Sequence, residues 1–450
     1  MNEIKNYAYI ENLELSEYIA FPIYIIIILL ISFWIQNKNI KNNPVYRYYT
    51  IGVAAKLLGA VAFCLVYIFV YKGGDTISYF ETSRALTKLL YARPGDFLTV
   101  ITETPSRENF YFFDGRTTGY PWWYMYLDSR TFLVTKLLVP FMILSFQSYM
   151  LCTILLSWAS FAGIWRLYLV FTDLYKNLSK PLAYSVLFLP SAVFWGSGIL
   201  KDTITLSASC WFIYVLYMLF IKKERKWQFY LGLFFCGYII LVIKPYILFA
   251  LLPGAVVWII YSRIVRMRSN FLRYSIIPFI FLISFGLGYA VLAISGGFKI
   301  ESLINEASVK QNDLKRADYN GNSFDIGTYE PTIDGALSVA PSAVLAGLYR
   351  PFVWEARNVV MIFSGFENFL FLVLSVLLVI RLKFRKLFRV IAENPFILFS
   401  LSYSILFALI IGLSTSNFGA LVRFKIAFLP VFVSSLVVLF YQMKSKELKK

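Results

Sequence analysis

Apolar runs about as long as a bilayer crossing, roughly 20 residues each, recur along this chain from Ile19 to its last helix-forming stretch. Short basic segments punctuate them. Backbone N–H and C=O groups find no partner in lipid, so such runs cross only as helices that satisfy those groups internally. The pattern therefore predicts an all-α integral membrane protein with about 11 transmembrane helices, within a range of about 10 to 13. With 59% hydrophobic and only 15% charged residues, and a mean hydropathy of +0.66, residues 1–450 read as one polytopic membrane domain.

The net charge of +18 sits beside the apolar runs, as in Lys222-Lys-Glu-Arg-Lys226. That is the signature of cytoplasmic turns. No stripe would track phosphates along a duplex, so nucleic acid is not an expected partner. Histidine is absent, which removes Ser-His-Asp and Cys-His nucleophile schemes. The four cysteines, Cys64, Cys152, Cys210 and Cys236, lie inside apolar runs and read as small core residues. The Ile19–Ile35 run follows an acidic leader and reads as a retained span, not a signal peptide.

Expected crossings are Ile19–Ile35, Ile51–Tyr71, Met150–Phe171, Pro181–Trp195, Thr203–Ile221, Phe229–Ile243, Tyr246–Tyr261, Ser275–Ile294, Val359–Ile380, Pro395–Leu413 and a last span after Arg423. Phe132–Phe146 is short, holds Lys136 and Pro140, and is expected to be re-entrant or interfacial. Were it to cross, the sides before it would flip. Two long segments, 72–130 and 295–351, are expected to be exported and to carry interfacial helices. The first has seven acidic and seven basic residues; between Glu301 and Asp334 the second has seven acidic and three basic. With the basic clusters inside, the N-terminus falls outside and the C-terminus in the cytoplasm. Asp75–Glu81, Lys201-Asp202, Lys244, Arg350–Asn358 and Asn417–Arg423 then share the outer face.

The densest signal is Phe194-Trp-Gly-Ser-Gly-Ile-Leu-Lys201-Asp202, where Gly196 and Gly198 break the helical pattern just before a charge pair. A charge at the bilayer centre costs about 2.5–3.5 kcal/mol on insertion scales, so this pair is expected at a membrane face or wet cavity. Lys201 and Asp202 would orient each other, with the ammonium offered to a phosphate; alternatively Asp202 only caps the helix from Thr203. Asp75, after Gly73-Gly74, is either a general base for an acceptor hydroxyl or the cap of an amphipathic surface helix. Glu81 either shares that chemistry or pairs with Arg84. Tyr120–Tyr126 has the composition of an interfacial aromatic belt. Lys244, fixed by Pro245, either binds substrate or snorkels to headgroups.

If Pro351 opens a helix, Trp354, Arg357 and Asn358 share one face. Arg350 and Arg357 then suit a phosphate, and Trp354 a sugar ring, with Glu355 and Asn358 beside them. The bland alternative is a Trp/Arg membrane anchor with Glu355 as its ion partner. Arg423 and Lys425, after the polar turn holding Asn417, repeat the same choice.

On these residues the chain resembles bacterial polytopic enzymes of surface-glycan assembly. It is most similar in layout to GT-C polyprenyl-phosphate-dependent glycosyltransferases, and secondarily to O-antigen or capsule polymerases. The resemblance implies a protein of the cytoplasmic (inner) membrane whose partners are a polyprenyl-linked sugar lipid, membrane lipids and a glycan, lipid or protein acceptor. It implies Asp75 as base and Arg350, Arg357 and Arg423 as phosphate holders. Asp75 and Glu81 are six residues apart instead of adjacent, so no cofactor is required by the sequence and a divalent metal stays open. The rival readings are a lipid-linked glycan flippase and a non-catalytic subunit of an envelope-assembly or secretion machine. Against a flippase, few charges besides Lys56, Lys136 and Arg166 lie within the expected crossings.

Overall fold

A computed structural model describes residues 15–264, 300–314 and 323–447, with a few positions between 278 and 286. The crossing expected over Ser275–Ile294 lies outside these continuous stretches. Among the described residues all regular structure is helical, apart from one antiparallel bridge between Ser323 and Asn417. Seven helices among the described residues are long and apolar enough to cross a membrane: Ile19–Ile40, Pro44–Val70, Tyr149–Leu174, Lys201–Ile221, Pro245–Ser262, Val359–Glu393 and Pro395–Ser414. An eighth forms if Phe418–Lys425 and Leu429–Met443, bent by 66°, count as one span. The described residues thus have the all-helical build of a multi-pass membrane protein. Hydroxyls inside the spans bond back to their own helix, as Thr153 to Tyr149 O at 2.8 Å and Ser404 to Ser400 O at 2.7 Å. That removes the cost of an unmet polar group in lipid.

One expected crossing takes another form. Pro181–Trp195 is not one span: it divides into Ser179–Val186 and Pro190–Trp195. Pro190 has no N–H to continue the ladder and disfavours helix in the residue before it. Trp227–Ile243 is an apolar helix of 17 residues, at the short end of the range that crosses a bilayer. Ser129–Leu144, with Pro140 inside it, has 16.

The chain forms two compact units, residues 1–165 with 192–207, and residues 166–191 with 208–450. In the first, the helix Asp75–Ala92 lies at the centre. It starts after Gly73 and Gly74, whose φ angles of 139° and 110° suit glycine. Gly74, not Asp75, is its N-cap; Asp75 is the first helical residue. Nor does this helix lie on a surface by one apolar face. Its sides are buried except for its ends and the stripe carrying Glu81, Arg84 and Lys88. Leu86, Leu89, Phe97, Val100, Phe113, Tyr126 and Phe132 form its core, each large apolar side chain contributing roughly 1.5–3 kcal/mol by burial. The aromatic stretch is only partly an exposed belt. Tyr120 and Tyr124 are exposed, but Tyr126 is fully buried against Phe110, Phe113 and Phe132.

In the second unit, Pro395–Ser414 packs against both Pro245–Ile264 and Ala340–Tyr349. Small residues allow the close approach. A methyl on Gly347 would strike Ala408, one on Gly412 would strike Ala343, and one on Gly254 would sit 3.0 Å from Phe399 O.

Candidate functional site

The glycine break in the first unit is a packing device. A Cβ on Gly198 would enter the Phe63 ring, and one on Gly59 would enter the Val193 carbonyl. The Phe194–Asp202 backbone is thereby pressed onto the span Pro44–Val70. Lys56, 2% exposed inside that span, donates from Nζ to Gly196 O. Its own carbonyl accepts from Ser157 at 3.2 Å and Ser197 at 3.1 Å. In the sequence Lys56 stands out only as an exception to the apolar pattern. Its target, a backbone carbonyl 140 residues away, leaves no trace in local sequence.

Lys201 bonds a carboxylate 73 residues away in the chain. Its Nζ lies 3.2 Å from Asp128 Oδ2 and 2.5 Å from Thr131 Oγ1. Asp128 also caps the helix Ser129–Leu144, accepting from Arg130 N and Thr131 N at 3.2 Å each. Burial alone would raise the Asp128 carboxyl, but the Thr131 hydroxyl and the Lys201 charge outweigh it and hold it below the usual carboxylate range. Asp202 is buried in the first helical turn, where the helix dipole favours a carboxylate.

Asp75 is exposed at the start of its helix. Six residues on, Glu81 points about 240° around the axis, so the two carboxylates do not share a face. Glu81 accepts from Trp122 Nε1 at 2.7 Å, and burial raises its carboxyl against the opposing pull of that bond and of the Arg84 charge. Among the described residues no three His, Cys, Asp or Glu side chains gather as a metal site.

In the second unit Arg350 grips Glu355 with both Nε and Nη2, Nε lying 3.0 and 3.2 Å from the two carboxylate oxygens. Its Nη1 reaches Asp325 O at 3.1 Å. The guanidinium lies over the stacked rings of Phe324 and Phe418, 4.9 and 5.5 Å from their centres. Arg350 is therefore a clamp between two loops, which weighs against a direct phosphate role. Pro351 does not open a helix. Val353–Glu355 is a short 3-10 turn, and the long helix starts at Val359, capped by Asn358 Oδ1, which accepts from Met361 N at 2.9 Å. Trp354, Arg357 and Asn358 consequently share no helix face; Trp354, 73% exposed, stacks on Phe352 at 4.8 Å, and Arg357 is exposed. Asn417 caps Phe418–Lys425 through Gly419 N at 2.9 Å.

Three cations converge on the ring of Phe424. Lys244 Nζ lies 4.5 Å from its centre, Arg423 5.7 Å and Lys310 5.8 Å. Lys244 is only 6% exposed, so it does not snorkel. The hairpin tip, the helix Ile300–Asp313 and the helix Phe418–Lys425 supply one cation each. Lys310 escaped the sequence argument because its helix is polar and lies within an acidic segment.

Beneath this group Lys425, 2% exposed, donates to Arg350 O at 3.0 Å and Asn368 Oδ1 at 2.8 Å. Asn368 Nδ2 returns to Pro351 O at 3.1 Å. Glu367, 6% exposed in the adjacent span, accepts from Ser191 N at 3.3 Å and feels the Lys425 charge. Comparison of the chain with protein-family models, curated proteins and solved structures gave no match.

Proposed function

We propose that the chain is a glycosyltransferase at the outer face of the cytoplasmic membrane. It would transfer a sugar from a polyprenyl-phosphate-linked donor to a glycan, lipid or protein acceptor, with about 11 crossings, the N-terminus outside and the C-terminus inside. The supporting observation is the trio Lys244, Lys310 and Arg423 around Phe424. Such a set suits the phosphate of a lipid-linked donor, which needs charge-assisted donors from several directions. In the transfer, the bond from the sugar's anomeric carbon to the phosphate oxygen breaks as the bond to the acceptor oxygen forms, with inversion. A carboxylate takes the acceptor proton, and the cations offset the charge gained by the leaving phosphate. Asp75 is the proposed base, being exposed in the first turn of its helix.

A radiolabelled polyprenyl-linked sugar offered to the purified, reconstituted protein tests this reading. Binding followed by transfer to acceptor, with transfer lost in Asp75→Asn, supports it. Transfer that survives Asp75→Asn removes Asp75 from the mechanism, and absence of binding removes the whole proposal. The buried ionisable pair Glu367 and Lys425 favours a second reading, a lipid-linked glycan flippase, because charges kept within spans commonly mark a transport path. Binding accompanied by movement across the vesicle, without transfer, selects it.

A further inference from the structure

The helix Val359–Glu393 is 35 residues long and carries non-helical backbone at Lys383, with φ 54° and ψ 143°. The part before that break, Val359–Leu382, rises about 36 Å at 1.5 Å per residue. That already exceeds the roughly 30 Å of bilayer hydrocarbon. The remainder, Phe384–Glu393, therefore has no hydrocarbon left to cross and can turn at Lys383.

Its side chains sort by helical position. Phe384 and Phe388, at i and i+4, are 76% and 58% exposed, and Leu387 and Ile391 flank them on the same side. Arg385 and Arg389, also at i and i+4 and both exposed, form the adjacent face. Val390 turns the other way, lining a crevice with Leu382, Lys386, Leu439, Gln442 and Met443, and holds the segment to the C-terminal helix. Exposed phenylalanines beside exposed arginines are unsuited to water and to mid-bilayer alike. They match the headgroup–acyl boundary of a membrane, and the positive charge of Arg381, Lys383, Arg385 and Arg389 complements anionic headgroups.

We infer that Phe384–Glu393 is an interfacial anchor that docks on anionic phospholipid headgroups, with Phe384 and Phe388 inserted and Arg385 and Arg389 on the phosphates. The inference is independent of the glycosyltransferase reading. The test uses the full-length chain with its native cysteines replaced by alanine and a nitroxide on Phe388→Cys. It is reconstituted in phosphatidylcholine vesicles and in equal phosphatidylcholine and phosphatidylglycerol. Depth is read by paramagnetic resonance from relative access to oxygen and to a water-soluble nickel chelate.

The anchor predicts oxygen access and loss of nickel access at 388 in the anionic vesicles, and a shift toward nickel access in Arg385→Gln/Arg389→Gln or without phosphatidylglycerol. A nitroxide on Arg385→Cys should stay nickel-accessible throughout. An aqueous 388 in anionic vesicles, a mid-bilayer 388, or a depth indifferent to both headgroup and arginines overturns it. Arg385 and Arg389 are exposed, so the double variant should keep its helix content. Loss of that content would assign these arginines to packing and overturn the inference too.

Discussion

The ammonium of Lys425 donates to the backbone carbonyl of Arg350, 3.0 Å away across 75 residues of chain. One contact thus ties the start of the last, bent span to the corner from which Arg350 reaches Glu355 and Asp325. The bend of 66° follows directly after Lys425, so the freed turn of backbone and the buried charge are anchored together. Phe424, the ring shared by Lys244, Lys310 and Arg423, is the preceding residue. Its position depends on that anchor.

Replacing Lys425 with methionine leaves Asn368 Oδ1 and the Arg350 carbonyl without their buried donor, and Glu367 without a nearby positive charge. Leaving a buried acceptor without its donor costs about 1–3 kcal/mol. Thermal unfolding of the purified protein in detergent should show a large drop for Lys425→Met, and a smaller one when Glu367→Gln is added. Equal or additive losses in the double variant would show that the two charges are not coupled.

Gly198 faces the Phe63 ring where a methyl would not fit. Overpacking of this kind costs typically about 1–3 kcal/mol. Gly198→Ala should therefore lower the melting temperature, and Phe63→Leu in the same chain should recover part of it. Gly198→Ala without effect would mean that the two segments are not in contact.

Asp128 has a lowered pKa in the folded chain. A depressed carboxylate adds stability above its unfolded pKa, about 3.9, and loses it as pH falls through the folded value. The Lys201–Asp128 pair is partly exposed, with the aspartate side chain at 45%, so the contribution is about 1 kcal/mol or less. Melting curves across pH 3 to 6 (about the carboxylate range) should flatten at the acid end in Asp128→Asn. An unchanged acid slope would exclude this carboxyl as a source.

Neutralising one member of the Phe424 trio should weaken binding of a polyprenyl phosphate about tenfold, a charge-assisted hydrogen bond being worth about 1.5–3 kcal/mol. Equilibrium binding to Lys244→Gln, Lys310→Gln and Arg423→Gln checks this. Arg350→Gln should instead lower stability, because its guanidinium is committed to Glu355 and Asp325. Wild-type affinity in all three neutral variants would remove the trio from the site.

The sequence alone determined that the chain is helical and built around membrane-length apolar runs, because lipid forces the backbone to satisfy itself within each run and hydropathy records that directly. It also marked Lys244, Arg350 and Arg423 as charges at the ends of such runs. Only the tertiary structure decided what those charges touch: Lys201 with Asp128, Arg350 as a clamp, and Lys310 and Lys425 as members of the polar group. Several of these pairings join positions far apart in the chain, 73 residues for Lys201 with Asp128 and 57 for Lys425 with Asn368. Local periodicity carries no record of such partners, since they are fixed by which helices pack together. The broken Pro181–Trp195 run shows the same limit: hydropathy reports that a segment is apolar, while its missing N–H and its neighbours decide whether it crosses in one piece.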